Sequence, residues 1–377
     1  RGEALFRLGR FADALDVLKP LESAPAAELT CLVLARLGRD REGFAFSSQW
    51  LERFDAHTNF RLRYFWACFQ ARLGDETKSA TWIAWLLRTA ATPAQTSTAL
   101  DALDWHSKIY APHQPMQRLT RNLEGLAAFK TADLPNSISE VNHHIFIAEN
   151  YVALREFDQA LESLQTAQSL MQRTSNIDTL TIYHLHLGLW ALENGKPDAA
   201  QRSLLKSLAL ARQMSDPIQT AHALFELTRA EFALGQFDAA AKRLADYELA
   251  TAALEQRFDG GQLLYQRPFD LEVAALRLQL GLECDTADSR LESALGDDAL
   301  HAGLIYLLSG QAHEALIALS LPVDAGQREH PTRPLLRGVA HLQRAEFDAA
   351  HTQFDRSRHL AKTQRHDALE GQAEIAL

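Results

Sequence analysis

Apolar positions recur along this chain at the three-to-four-residue spacing of a single helix face. Residues 240–254 carry Ala240, Leu244, Tyr247 and Leu254 at steps of four, three and seven, with Thr251 filling the intermediate place. The preceding stripe, Leu224, Leu227 and Leu234, is interrupted by Glu231, and nothing in the sequence accounts for that break. Between the two stripes stands GQFDAA (235–240), and the chain writes near-copies of it at GRFADA (9–14), REFDQA (155–160), GKPDAA (195–200) and AEFDAA (345–350).

The copies define a register. Nine residues open such a unit: Gly9, Gly38, Gly74, Arg155, Gly195, Gly235, Gly281, Gly310 and Ala345. Five places after each lies a small residue: Ala14, Gly43, Ser79, Ala160, Ala200, Ala240, Thr286, Ala315 and Ala350. Seven places before each lies another: Gly2, Cys31, Ala67, Ala148, Gly188, Thr228, Ala274, Gly303 and Gly338. Two columns of small residues twelve apart predict a helical hairpin. Helix A precedes the turn, helix B follows it, and the pair crosses closely where the side chains shrink. The turn residue is often Gly because helices commonly end in a left-handed conformation. Phe11, Phe157, Phe237 and Phe347 are expected in the hairpin corner. Asp158, Asp198, Asp238 and Asp348 are expected at the start of helix B, where a carboxylate can accept unpaired N–H groups and meets the positive end of the dipole.

Small residues twelve apart around a turn, followed by an aromatic and then an acidic residue, resemble the tetratricopeptide repeat (TPR). The turns at Arg155, Gly195 and Gly235 are 40 residues apart, against about 34 for the minimal repeat. With SLALARQMSDPIQTAHALFELTRAEFALGQFDAA (207–240) as the most typical stretch, this longer period is similar to the arrays of bacterial MalT/LuxR-like transcriptional regulators. The resemblance implies an all-α, right-handed superhelical solenoid of about nine or ten hairpins. The expected divisions are N-terminal repeats over 1–110, a degenerate proline-containing repeat and connector over 111–140, regular 40-residue repeats over 141–254 and further repeats over 255–377. Pro112 and Pro115 replace a turn, with a helix expected from about Met116 to Phe129. Gly260, Gly261 and Pro268 stretch a second connector. Gly2 already occupies the helix A column and RHDALEGQAEIAL (365–377) reads as another helix A, so the chain is expected to belong to a longer protein.

Composition narrows the function. Hydrophobic residues make up 47% of 377, a globular proportion. The net charge of −10 disfavours direct nucleic-acid binding by this segment. No apolar run reaches the roughly 18–20 residues that span a bilayer. The opening RGEALFRLGR is no signal peptide. Three cysteines without a C-x-x-C favour reduced thiols and a cytoplasmic location.

Catalytic motifs are missing from the sequence. His143-His144 and His184-x-His186 are spaced wrongly to converge on one ion from a helix. HEALI (313–317) has Ile317 where a zinc-binding His is required, and NGKPDAA (194–200) is a turn without a preceding strand. No enzyme activity, metal or cofactor is expected. Trp50, Trp66, Trp82, Trp85 and Trp105 cluster in 50–105, as either a bulky local core or a recognition surface.

The resemblance places ligands in the concave groove lined by A helices. By that correspondence the facing residues are Arg61, Tyr64, Cys68, Asn142, Ile145 and Glu149, then Leu185, Leu189, His222, Phe225 and Arg229. The Lys/Asn clamp of TPR co-chaperones is not present at these positions, and the groove reads as apolar with scattered charge. The expected partner is a protein or peptide, with no membrane partner. The expected role is sensing within a larger bacterial transcriptional regulator. A stand-alone scaffold and a helical array appended to a signalling enzyme remain as alternatives.

Overall fold

The structure, a computed structural model, describes residues 1–53, 60–110, 114–131, 138–172, 176–257, 269–282, 297–321, 329–364 and 367–376. Among these there are twenty helices and no strand. Antiparallel pairs follow one another along the chain. They are α1 (Gly2–Arg7) with α2 (Phe11–Leu18), α3 (Ala24–Arg36) with α4 (Asp40–Arg53), α5 (Phe60–Arg72) with α6 (Glu76–Thr89), and α7 (Pro93–Tyr110) with α8 (Pro115–Thr131). Next come α9 (Ile138–Ala153) with α10 (Phe157–Met171), α11 (Ile177–Glu193) with α12 (Pro197–Met214), and α13 (Pro217–Ala233) with α14 (Phe237–Arg257). After α15 (Phe269–Gln279), α16 (Asp297–Leu308) pairs with α17 (Ala312–Ser320) and α18 (Thr332–Gln343) with α19 (Phe347–Thr363); α20 (Asp367–Ala376) lies against α19. In several pairs the first helix also packs on the first helix of the next: α3 on α5, α5 on α7, α9 on α11, α11 on α13 and α16 on α18. The result is a right-handed superhelical solenoid.

All nine turn residues read from the sequence have positive φ, from 59° at Ala345 to 90° at Gly74. The reason is a repeated hydrogen-bond pattern. Gly195 N–H donates to Leu192 O and Lys196 N–H to Ala191 O, and the same pair recurs at Gly235–Gln236 and Ala345–Glu346. Capping the carbonyls this way requires one left-handed residue after the helix. Arg155 and Ala345 adopt it without glycine's freedom. Ser215 (φ 54°) is a further left-handed position; it ends α12, after which Asp216 caps α13 by accepting from Ile218 and Gln219 N–H.

The small-residue columns are buried at Ala14, Ala67, Ala148, Ala160, Ala200 and Ala240, none more than 1% exposed. Their partner is a large residue four places after the helix B column: Leu18, Ile83, Leu164, Leu204, Leu244, Leu319 and Phe354, all in the buried core. A Cβ added at Gly188 would sit 2.5 Å from Leu204 Cγ, and one at Gly303 or Gly338 would collide with Leu319 or Phe354. The small residue on helix A therefore admits an apolar side chain from helix B as well as a close backbone; at Gly188 the Ala200 carbonyl is also only 3.4 Å away. Ala274 is half-buried, and Thr286 lies outside the described residues.

Two expectations need correction, and one break in the pattern finds its cause. Phe11 and Phe157 fill the corner, at 1% and 8% exposed, but Phe237 and Phe347 are 55% and 67% exposed. Asp158, Asp198, Asp238 and Asp348 lie in the first turn of their helices, where they meet the dipole. The cap position is two residues earlier, at Glu156, Lys196 and Glu346, and makes no side-chain cap bond. Glu231, which broke the apolar stripe, is 3% exposed and pairs with Arg243 Nε of α14 at 3.3 Å. The stripe tolerates it because the paired helix supplies the cation.

Met116 to Phe129 falls within α8, which packs on α7 across the 110/111 boundary. Pro112 and the connectors at 132–137 and 258–268, with Gly260, Gly261 and Pro268, lie outside the described residues, as does Cys284.

The superhelix brings the N-terminal hairpins against its middle. Met214, at the end of α12, belongs to one apolar cluster with Phe6, Phe11, Leu34 and Phe69, and Ile177 packs against it. At the same contact, Arg36 Nη2 of α3 pairs with Asp178 Oδ2 of α11 at 2.9 Å.

Candidate functional site

That closure encloses a chamber of about 420 Å³ between α3, α5, α7 and α9 and the start of α11. A narrower recess of about 110 Å³ adjoins it toward the start of α13, and Leu32, Arg36, Tyr64, Phe65 and Trp105 line both. The larger volume lies in the range typical of ligand sites. Its walls are aromatic at Tyr64, Phe65, Trp105, Phe129 and Phe146 and polar at Ser97, Thr98, Asp101, Asn142 and Asn176.

Several polar atoms of this lining are buried without a hydrogen-bond partner: Asn142 Oδ1, His143 Nδ1, Asn176 Nδ2 and Asp178 Oδ1. Asp178, His143 and Asn176 are 2%, 4% and 6% exposed. A buried polar atom left unpaired is costly. His143 Nε2 bonds Ser97 Oγ at 2.9 Å, and burial pulls its pKa down to about 4, so the ring is neutral near pH 7.

Asp101 is the carboxylate that faces the chamber from α7. The Tyr64 hydroxyl donates to its Oδ2 at 2.5 Å. Burial pushes the Asp101 pKa up to about 6, with the Tyr64 bond opposing. Tyr64 is raised well above its ordinary value, by burial first and then by Asp101.

Below the chamber a ladder of ion pairs follows the A helices. Glu149 of α9 meets Arg118 Nη2 at 2.5 Å and Lys108 Nζ at 3.0 Å, with His186 at 3.8 Å. Burial alone would raise the Glu149 carboxyl; Lys108 and Arg118 outweigh it and hold it well below the usual carboxylate range. The next rung is Arg229 of α13, bonded to Glu193 at 2.5 Å and to Glu226 and Glu272 at 2.8 Å each. Glu193 also takes Arg155 at 2.5 Å. Burial lowers the pKa of His186 and His222 to about 4 each. The inner face is therefore dense in paired charge, where the sequence had suggested an apolar groove with scattered charge.

The nominated residues separate into three groups. Arg61, Tyr64 and Asn142 line the chamber, and Tyr64, Cys68 and His222 line the recess. Glu149 and Arg229 are hubs of the ladder. Ile145, Leu185 and Phe225, at 0%, 7% and 1% exposed, are core residues, and half-buried Leu189 packs against the same core. Those three offer little surface to a ligand, because a helix turned inward between two neighbours buries more than one stripe.

Arg36, Asp101, Asn176 and Asp178 were not nominated. Asn176 and Asp178 occupy the cap and first turn of α11, where the sequence gives an ordinary helix-start signal. Trp105 was visible only as part of the aromatic run. Of the rest of that run, Trp50 is buried in the N-terminal apolar cluster, and Trp66, Trp82 and Trp85 form a half-buried group, with Trp82 5.2 Å from Trp66 and 5.7 Å from Trp85. The Arg63 guanidinium lies 5.1 and 4.8 Å from the Trp82 and Trp85 rings.

Among the described residues, no group of three His, Cys, Asp or Glu side chains could hold a metal ion, and no helix is long and apolar enough to cross a membrane. No protein-family model matches the sequence, and no curated protein matches it. Solved structures do. The crystal structure of a Rap protein complexed with Competence and Sporulation Factor covers 100% of this chain and 97% of that one, with a TM-score of 0.55 and 11% identity. The crystal structure of the APC/C hetero-tetramer Cut9–Hcn1 covers 96% of this chain and 73% of that one, with a TM-score of 0.56 and 13% identity. At such identities the likeness carries the fold, a TPR-like solenoid, and not the ligand.

Proposed function

From a chain that folds as a TPR-like solenoid, we propose a non-catalytic module that receives a short peptide, or an extended segment of a partner protein, in the chamber enclosed by its A helices. One observation carries this reading: polar atoms of Asn142, Asn176 and Asp178 are buried without partners in an aromatic-walled chamber. A peptide backbone supplies both the donor and the acceptor that these groups lack. The Rap protein of like fold, complexed with Competence and Sporulation Factor, supports a role in receiving a factor. The ion-pair ladder supports a non-catalytic role, since Glu149 and Glu193 are committed to arginines and a lysine that hold them below the usual carboxylate range. The net charge of −10 supports a protein partner over nucleic acid.

The test is retention of a randomised pentapeptide pool by the purified chain, read by mass spectrometry after rapid filtration. Retention that falls at least tenfold in Tyr64→Ala and not in Lys242→Ala, at an exposed position of α14, supports the reading. Equal retention by both variants sinks it. Phe225→Ala is no test of binding, because Phe225 packs in the core 5.3 Å from Tyr247.

The similarity to MalT/LuxR-like arrays supports a finer reading: the module is the sensing part of a larger bacterial transcriptional regulator acting in the cytoplasm, with the repeats divided at 111–140 and 255–270. A helix-turn-helix or phosphate loop encoded in the same reading frame supports this, and a catalytic domain there refutes it.

A further inference from the structure

Asp101 differs from the other buried carboxylates around it. Asp104, one turn on, meets Arg118 and Lys108 at 3.4 Å each and accepts from Asn122 at 2.9 Å. Asp178 has Arg36, and Glu149 has Lys108 and Arg118. Arg61, the other cation lining the chamber, is 59% exposed and reaches toward Glu28 at 3.8 Å. Every nearby cation is thus in contact with some other carboxylate, and Lys108 and Arg36 act on Asp101 only through space. Among the described residues the direct partner of Asp101 is a phenolic hydroxyl. Desolvating a half-buried carboxylate with no cation in contact costs free energy that a positively charged ligand recovers.

The surroundings suit such a ligand. Ser97 and Thr98, one turn before Asp101 on α7, are small, so space opens beside the carboxylate. Tyr64, Phe65, Trp105 and Phe146 supply ring faces, and aromatic faces attract desolvated cations. The structure already uses two of these rings in that way: Lys108 Nζ lies 5.3 Å from the Trp105 centroid and 3.8 Å from that of Phe146. Asn142 and Asn176, at the α9 and α11 side of the chamber, remain to pair with amides.

We infer that the chamber selects its peptide by a cationic group, an ammonium or a guanidinium, seated on the Asp101 carboxylate between the aromatic walls. This rests on the peptide-receiving reading above and adds the chemistry of the residue received. A basic side chain and a free chain N-terminus share that chemistry, and two probe pools separate them.

The full chain is offered a randomised pentapeptide pool with free N-termini and the same pool N-acetylated. The retained peptides are sequenced for wild type, Asp101→Asn and Tyr64→Phe. Asp101→Asn is isosteric and removes a buried charge, so its melting temperature is expected to hold or rise, and circular dichroism checks that it is folded. In wild type, Lys and Arg are enriched at least threefold over the pool if a side chain is bound; at least threefold preference for free over acetylated peptides marks a bound N-terminus. Asp101→Asn abolishes either preference. Tyr64→Phe removes the hydroxyl yet leaves the carboxylate and keeps the preference, an outcome that a merely structural Asp101–Tyr64 contact would not give. Retention without any cationic preference, or a preference unchanged in Asp101→Asn, overturns the inference and leaves the peptide reading standing. No retention from either pool sinks the peptide reading itself.

Discussion

Replacing Gly188 by alanine sets two effects of opposite sign against each other. In a helix interior alanine is favoured over glycine by about 1 kcal/mol. The new Cβ would lie 2.5 Å from Leu204 Cγ and 2.7 Å from its Cδ2, and Leu204 is fully buried, so it has nowhere to swing. Overpacking of that kind costs about 1–3 kcal/mol. Gly188→Ala is therefore expected to lower stability by up to about 2 kcal/mol in wild type. With Leu204→Ala, itself worth about 2–5 kcal/mol, the obstacle is gone and only the propensity gain of about 1 kcal/mol remains. The same substitution then stabilises, and the double-mutant cycle returns a coupling of about 1–3 kcal/mol. Urea titration provides the measurement, with hydrogen exchange confined to α11 and α12 to localise it, since a long array need not unfold as one unit. Trp190 is a convenient optical reporter, being 9% exposed and bonded through Nε1 to Phe157 O at 2.9 Å. A coupling below about 0.5 kcal/mol, or a stabilising Gly188→Ala in wild type, would refute the claim that the small column exists to admit a large side chain from helix B.

Ala345→Gly is expected to raise the melting temperature, since Ala345 is exposed with φ 59° and left-handed backbone costs alanine about 1 kcal/mol; Arg155→Gly should gain nothing, because it also deletes the ion pair to Glu193. Arg229→Met takes the arginine from Glu226 and Glu272 and leaves Glu193 only Arg155, and should cost about 3–5 kcal/mol by urea unfolding, with Glu226→Gln restoring part of the loss. The pH response has opposing parts. His143, His144, His186 and His222 are held by burial at about 4, below their ordinary 6.5, so the unfolded chain takes protons first and their contribution to stability is lost as pH falls from 6.5 toward 4. Asp101 and Asp216 are raised by burial to about 6 from 3.8, so the folded chain takes protons first and they gain stability over nearly the same span. Removing the latter in Asp101→Asn/Asp216→Asn should make the urea midpoint fall more between pH 7 and 5 than in wild type; an equal fall refutes the assignment.

The hairpin architecture was legible because it is written locally. A left-handed turn and two close crossings restrict residue type within a dozen positions, and all nine turn residues adopt the conformation they were read for. What failed depends on neighbours in space. Phe237 and Phe347 occupy the same sequence position as Phe11 and Phe157 but are mostly exposed, while the earlier two are buried. Glu231 made sense only once Arg243 faced it. Tyr64, Asn142 and Arg61, nominated through the repeat resemblance, line the chamber. Ile145, Leu185 and Phe225, nominated in the same way, are buried, because the place of a residue in a repeat does not say how far around each helix its neighbours reach. Arg36 and Asp178 meet, and share a chamber with Asp101, only because the superhelix closes on itself, and no local pattern encodes the pitch that closes it.

Met214 and Ile177 bear on how the chain comes off the ribosome. The apolar cluster of the first hairpins lacks part of its cover until both have been made, the later at position 214 of 377. A repeat array is ordinarily free to consolidate from its leading end during synthesis, each unit needing only the next. Here the leading units must wait with apolar surface uncovered while some 200 residues are added (on the order of ten seconds or more at usual elongation rates), and that interval is when a chaperone or a misplaced neighbour can reach them.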